Sequence, residues 1–276
     1  MKWLQFILSH SIFISICAFA LCWQAFYLLH TPVDHSISLL IFFATLSSYN
    51  FYWLISKYHF SDRRGLVDFL LKHISNVFFF SSAAAGLVYC LYLLPQLLPA
   101  VLISVLLTLL YSVPLWPVKQ LAFTRKAGFL KTLLLAFTWS YVTVIIPAQQ
   151  GIVINTVSVA LLFAARFLFM LMLCIIFDSR DINVDKIHSL RSLATDVSRK
   201  ALAIIMAIVF ACYLVAGFLL RYYFDDTAQL VAFFITGLVT LLVYRLSLKK
   251  QGYFFYYFLV DGLMLFSAAA TFVASI

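Results

Sequence analysis

The chain has 276 residues, of which 65% are hydrophobic and only 11% charged. A soluble domain has about half apolar and about a quarter charged residues, so a soluble protein is excluded. All ten acidic residues are Asp, whereas solvated helices use Glu freely, so long water-exposed helices are not expected.

A helix needs roughly 20 apolar residues to cross the hydrocarbon core, and nine such runs are predicted. They lie at about 5–29, 35–56, 75–93, 96–114, 130–148, 152–177, 199–221, 228–245 and 253–274. Breakers separate them: Pro32, Pro95 and Pro99, Pro114 and Pro117, Pro147 with Gly151, and Gly252. A re-entrant hairpin at Pro95 is the alternative for the third and fourth runs. The first run imitates a signal peptide but exceeds a typical apolar region of one, and is read as a membrane helix. Cys17, Cys22, Cys90, Cys174 and Cys212 all fall inside apolar runs, without zinc or disulfide spacing, and are read as small buried apolar residues.

Basic residues retained in short loops mark the cytoplasmic side. Lys2, the cluster from Lys57 to Lys72, Lys119 to Lys131, Arg180 to Lys200 and Arg245 to Lys250 place 17 of the 19 Lys and Arg residues on one side. The expected topology is N-terminus in the cytoplasm and C-terminus outside, in a single transmembrane domain over 1–276. Cytoplasmic loops are expected at about 57–74, 115–130, 178–198 and 246–252. The bacterial inner membrane suits this pattern, and the net charge of +9 needs no nucleic acid. No fixed repeat or matching pair of broken helices supports an inverted-repeat transporter.

The most informative stretch runs from Asp178 through Asp181 and Asp185 to His188. Offsets of three and seven put the three carboxylates within about 60° of one another on a helix. Like charges so spaced destabilise an isolated helix. Two readings remain: a bound cation such as Mg2+, which takes one or two protein oxygens alongside phosphate oxygens, or a solvated helix end with Arg and Lys counterions.

In this stretch the chain resembles the UbiA-type membrane prenyltransferase superfamily. Asp178, Asp181, Asp185 and Lys186 match that family's second motif, D-x-x-D-x-x-x-D followed by a basic residue. Tyr111, Ser112, Pro114 and Lys119 match its Tyr-Ser-x-Pro and Lys. The resemblance implies an all-α polytopic fold of about nine transmembrane helices around a central cavity, and Mg-dependent transfer from a prenyl diphosphate to a lipid or aromatic acceptor. It also implies Asp178, Asp181 and Asp185 as catalytic metal ligands, with Asn50, Lys57, Tyr111, Lys119 and Lys186 around the substrate. The first motif, N-x-x-x-D-x-x-x-D, departs from the pattern: Asn50 is present, but Leu54 and Tyr58 stand where the aspartates belong. Lys57, His59, Arg63 and Arg64 are either direct diphosphate contacts or a positive-inside loop, and Asp62 is a candidate replacement ligand. Residues 60–74 read as a short interfacial helix.

Aromatic runs at 50–53 and 253–258 are read chiefly as interfacial or lipid-facing. His10 is read as packed or interfacial. Arg166 and Asp261, deep in apolar runs, are expected to face a cavity or to form a buried pair. Three functions are therefore open: a prenyltransferase; a pseudoenzyme of that fold binding an isoprenoid or other membrane lipid, or serving as a subunit with a membrane-protein partner; and a small transporter using Arg166 and Asp261.

Overall fold

The computed structural model describes residues 2–59, 65–112, 128–150, 155–187, 197–224 and 227–276. Within these, the side chains of Lys2, His59, Leu66, Tyr111, Ser112, Gly128, 181–187 and Phe224 are outside the description. The described residues are helical, with no strand among them. The helices are α1 (Lys2–Ser9), α2 (Ile12–Leu28), α3 (His35–His59), α4 (Leu66–Lys72), α5 (Ile74–Leu93) and α6 (Leu98–Ser112). There follow α7 (Gly128–Ser140), α8 (Thr156–Ile187), α9 (Arg199–Phe224), α10 (Thr227–Ser247) and α11 (Asp261–Ala274). Seven helical segments are long and apolar enough to cross a membrane, and the protein is an integral, multi-pass membrane protein. The α1–α2 pair, bent by 70°, makes an eighth apolar unit, and Pro95–Leu110 is a shorter apolar helix.

Helix starts follow local chemistry. After Pro32, the Asp34 carboxylate accepts from the backbone N–H of Ser36 (2.7 Å) and Ile37 (3.1 Å) at the head of α3. Asn155 does the same for Val157 (2.9 Å) at the head of α8. Inside the bundle, hydroxyls return to carbonyls one turn earlier, as Thr138 does to Leu134 (2.7 Å) and Thr240 to Thr236 (2.8 Å). A buried hydroxyl without such a partner is costly in hydrocarbon.

The first apolar run is not one continuous helix. Ser11 adopts a left-handed backbone (φ 62°), and the His10 carbonyl at the break accepts a hydrogen bond from Asn50 Nδ2 at 3.1 Å. The His10 ring packs against Phe6 and Phe79, as expected for a packed histidine. Cys17, Cys22, Cys90 and Cys174 are buried, whereas Cys212 faces outward.

Neighbouring packing closes a ring. α3 lies along α5 and α2; α2 lies along α11; α11 packs on α10, α10 on α9, α9 on α8, α8 on α7, and the turn Tyr141–Ile145 after α7 packs back on α2. Gly86 permits the close approach of α5 to α3, since a Cβ there would meet the Phe43 ring at 2.8 Å. Arg166 (4% exposed) and Asp261 (8% exposed) are both buried. Two π-helical turns interrupt the regular wind, at Tyr141–Ile145 ahead of Pro147 and at Phe255–Val260 immediately before Asp261.

Of the expected interfacial helix, residues 60–64 lie outside the described residues, and the remainder forms α4. It buries Phe69 (5% exposed) and turns Val67 and Leu71 outward, a one-sided anchor. Phe69 packs edge-on against Tyr58 and tilted against His73.

Candidate functional site

α8 has 32 residues, about 48 Å at 1.5 Å per residue, against a hydrocarbon core of about 30 Å. Its apolar span ends at Arg180, and the helix continues to Ile187. Asp178, Asp181 and Asp185 therefore lie on one uninterrupted helix. The half-buried Asp178 carboxylate accepts a 2.6 Å hydrogen bond from Thr132 Oγ1 on α7, and Thr132 is itself buried. Sequence reasoning missed Thr132; no pattern links positions 46 residues apart. Among the described residues no group of three His, Cys, Asp or Glu side chains could hold a metal. The side chains of Asp181, Asp185 and Lys186 fall outside those residues, as does the Tyr111 side chain, and Lys119 is not described at all.

The end of α3 differs from what the sequence suggested at one position. Asn50 is fully enclosed. Its amide donates to the carbonyls of His10 (3.1 Å) and Leu46 (2.9 Å) and accepts from Asn76 Nδ2 of α5 (3.5 Å). Both amide hydrogens are engaged, so Asn50 ties α3 to the α1–α2 break and to α5 instead of offering an open substrate contact. Lys57 is exposed, with its ammonium 5.8 Å from the Trp53 ring centroid. His73, at the α4–α5 junction, meets the same Trp53 ring edge-on. Partial desolvation holds its pKa below the usual 6.5, and the charges of Lys72 and Lys57 add to the effect.

Arg180, two residues past Asp178, is the cation that sequence reasoning passed over. Its guanidinium sits 5.4 Å from the Phe177 ring, 5.2 Å from Tyr256 and 5.0 Å from Tyr257, a cation–π arrangement. Tyr256 is only 3% exposed. Part of the 253–258 aromatic run therefore packs inward, contrary to the interfacial reading. The π turn at 255–260 adds a residue to the local wind and rotates the ring positions away from a regular helical pattern.

The expected ion pair between Arg166 and Asp261 is not formed. Arg166 Nη2 donates to the Leu21 carbonyl of α2 at 3.3 Å, and its Nη1 has no partner. Similar depth in the bilayer did not pair the two side chains, because α8 directs Arg166 to the Leu21 carbonyl of α2.

A cavity of about 130 Å³ lies between α3, α6 and α7. Tyr49, Tyr52 and Trp139 form its aromatic wall, and Thr45, Ser48 and Thr138 add hydroxyls. Trp139 Nε1 donates to the Tyr49 hydroxyl at 3.2 Å, fixing two of the rings.

Sequence comparison finds no matching family model and no matching curated protein. Two solved structures share the whole architecture. One is the apo structure of a UbiA homolog from Aeropyrum pernix K1, with a TM-score of 0.67 and 15% identity over 95% of this chain and 99% of that one. The other concerns digeranylgeranylglyceryl phosphate synthase in membranes, with a TM-score of 0.62 and 14% identity over 100% of this chain and 99% of that one. The chain has the fold of the UbiA-type membrane prenyltransferase superfamily.

Proposed function

We propose that this protein binds a prenyl diphosphate with magnesium at the end of α8 and transfers its prenyl group, slowly, to a lipid or aromatic acceptor. The observation that carries this reading is the uninterrupted helix through Asp178, Asp181 and Asp185, with Asp178 held by Thr132, in a UbiA-type bundle. Hard carboxylate oxygens at this spacing fit magnesium, and Asp178, Asp181 and Asp185 would hold it. When bound, the ion supplies electrostatic pull on the diphosphate leaving group. The family resemblance would assign Lys119 and Lys186 to neutralising the remaining negative charge, and Lys57 and Tyr111 to binding the substrate. The distribution of Lys and Arg supports an inner-membrane protein with its N-terminus and this site on the cytoplasmic side.

A second reading has a specific observation in its favour. The end of α3 carries Leu54 and Tyr58 in place of carboxylates, and the Asn50 amide is engaged within the bundle. Half of a two-sided metal clamp is missing, which suits a catalytically degenerate member that holds an isoprenoid lipid or serves as a membrane-complex subunit.

Product formation from farnesyl diphosphate separates the two. The native chain is expected to turn over weakly with magnesium, and Leu54→Asp with Tyr58→Asp to raise the rate at least about tenfold by completing the clamp. No product from either protein, with intact diphosphate binding, would support the degenerate reading.

A further inference from the structure

Basic groups from α3, α4 and the α4–α5 junction gather at the Trp53 ring. Lys57, one turn further along α3, holds its ammonium 5.8 Å from the ring centroid. His73 meets the same ring edge-on, with centroids 5.1 Å apart, and Lys72 precedes it in the last turn of α4. None of these four side chains has a hydrogen-bond or ion-pair partner among the described residues. Asp68 lies one turn before Lys72 and makes no ion pair with it. From Lys57 to His73 the sequence holds four Lys and Arg residues against two Asp. The cluster is distinct from the α3 residues that line the α3–α6–α7 cavity, which are Ala44, Thr45, Ser48, Tyr49 and Tyr52.

The same elements leave apolar side chains uncovered. Val67 (68% exposed) and Leu71 (62%) stand one turn apart on α4, and Ile74 (63%) opens α5. In water such a patch has nothing to cover it. At a membrane interface, acyl chains cover it, while the neighbouring cations lie level with the headgroup phosphates and Trp53 sits where indoles concentrate. A soluble phosphate would meet the cations but leave the patch bare. A second copy of the chain docked here would bring like charges together.

We infer that Trp53, Lys57, Lys72 and His73 form a site for the headgroup phosphate of an anionic membrane phospholipid, whose acyl chains lie along Val67, Leu71 and Ile74. The ammonium, imidazole and indole N–H groups donate to the phosphate oxygens, the ammonium bonds being charge-assisted. Such a lipid ties α4 and the end of α3 to one leaflet. The site goes beyond the proposed reaction and does not depend on it.

Native mass spectrometry of the full chain tests this, by titration with dioctanoyl phosphatidylglycerol or dioctanoyl phosphatidylcholine, which share their acyl chains and differ in net charge. The native protein is expected to prefer the glycerol lipid by about tenfold, as two lysines at an anionic headgroup provide. Lys57→Gln with Lys72→Gln should reduce the preference to about twofold or less, and Lys57→Arg with Lys72→Arg should keep it. Both lysines are exposed, so neither pair of changes disturbs the core. Lys249→Gln with Lys250→Gln removes the same charge after α10 and should leave the preference unchanged. Equal binding of the two lipids, or binding of neither, overturns the site. So does an equal loss in the Lys249 and Lys250 variant, which would mean diffuse surface charge. Displacement of the glycerol lipid by inorganic diphosphate at the same concentration would make this a site for a soluble phosphate and likewise overturns the lipid assignment.

Discussion

Thr132 on α7 donates to the Asp178 carboxylate on α8 across 2.6 Å, joining two helices at the place where the acidic stripe begins. A hydroxyl bound to one carboxylate oxygen restrains the carboxylate's rotation, so this bond orients Asp178 as well as tying the helices. Replacing Thr132 with Val should lower stability by about 1 kcal/mol, since Asp178 is only half-buried, and weaken magnesium-dependent diphosphate affinity about three- to tenfold. Thr132→Ser should retain both. Native affinity in the Val variant would mean that the bond has no part in positioning the carboxylate.

Asn50 leads to the opposite expectation. Its two donated bonds lie within the bundle, and Asn50→Leu leaves the His10 and Leu46 carbonyls without that donor. Unfolding in detergent should show a loss of about 1–3 kcal/mol, with farnesyl diphosphate affinity changed less than about twofold. An unchanged stability together with a collapsed affinity would make Asn50 a substrate contact after all.

Arg166 donates to the Leu21 carbonyl and makes no ion pair with Asp261 among the described residues. In a double-mutant cycle with Arg166→Met and Asp261→Asn, the losses should add within about 0.5 kcal/mol. A coupling above about 1 kcal/mol would show that the two charges interact.

The parts of this fold that were legible in the sequence are those set by local chemistry. Pro32 with Asp34, Pro95 and Pro147 mark helix ends because proline and a capping side chain act within a few residues. The stripe from Asp178 to Asp185 was legible because a helical offset is a property of one segment. The break at His10 and Ser11 was not, since no Gly or Pro announces it; it coincides with a left-handed Ser11 and with a bond from Asn50, 40 residues away. Thr132 was hidden for the same reason. The inward turn of Tyr256 was hidden by the π wind before Asp261, which shifts every ring from the position a regular helix would give it.

Calorimetric titration of farnesyl diphosphate into the full chain, with and without magnesium, bears most directly on the acidic stripe. Binding at least about tenfold tighter with magnesium is expected for the native protein, and Asp181→Asn with Asp185→Asn should remove that gain. Equal affinity with and without the metal, or an undiminished gain in the doubly substituted protein, would contradict a metal-bound diphosphate at the end of α8 and leave the three aspartates as a solvated helix end.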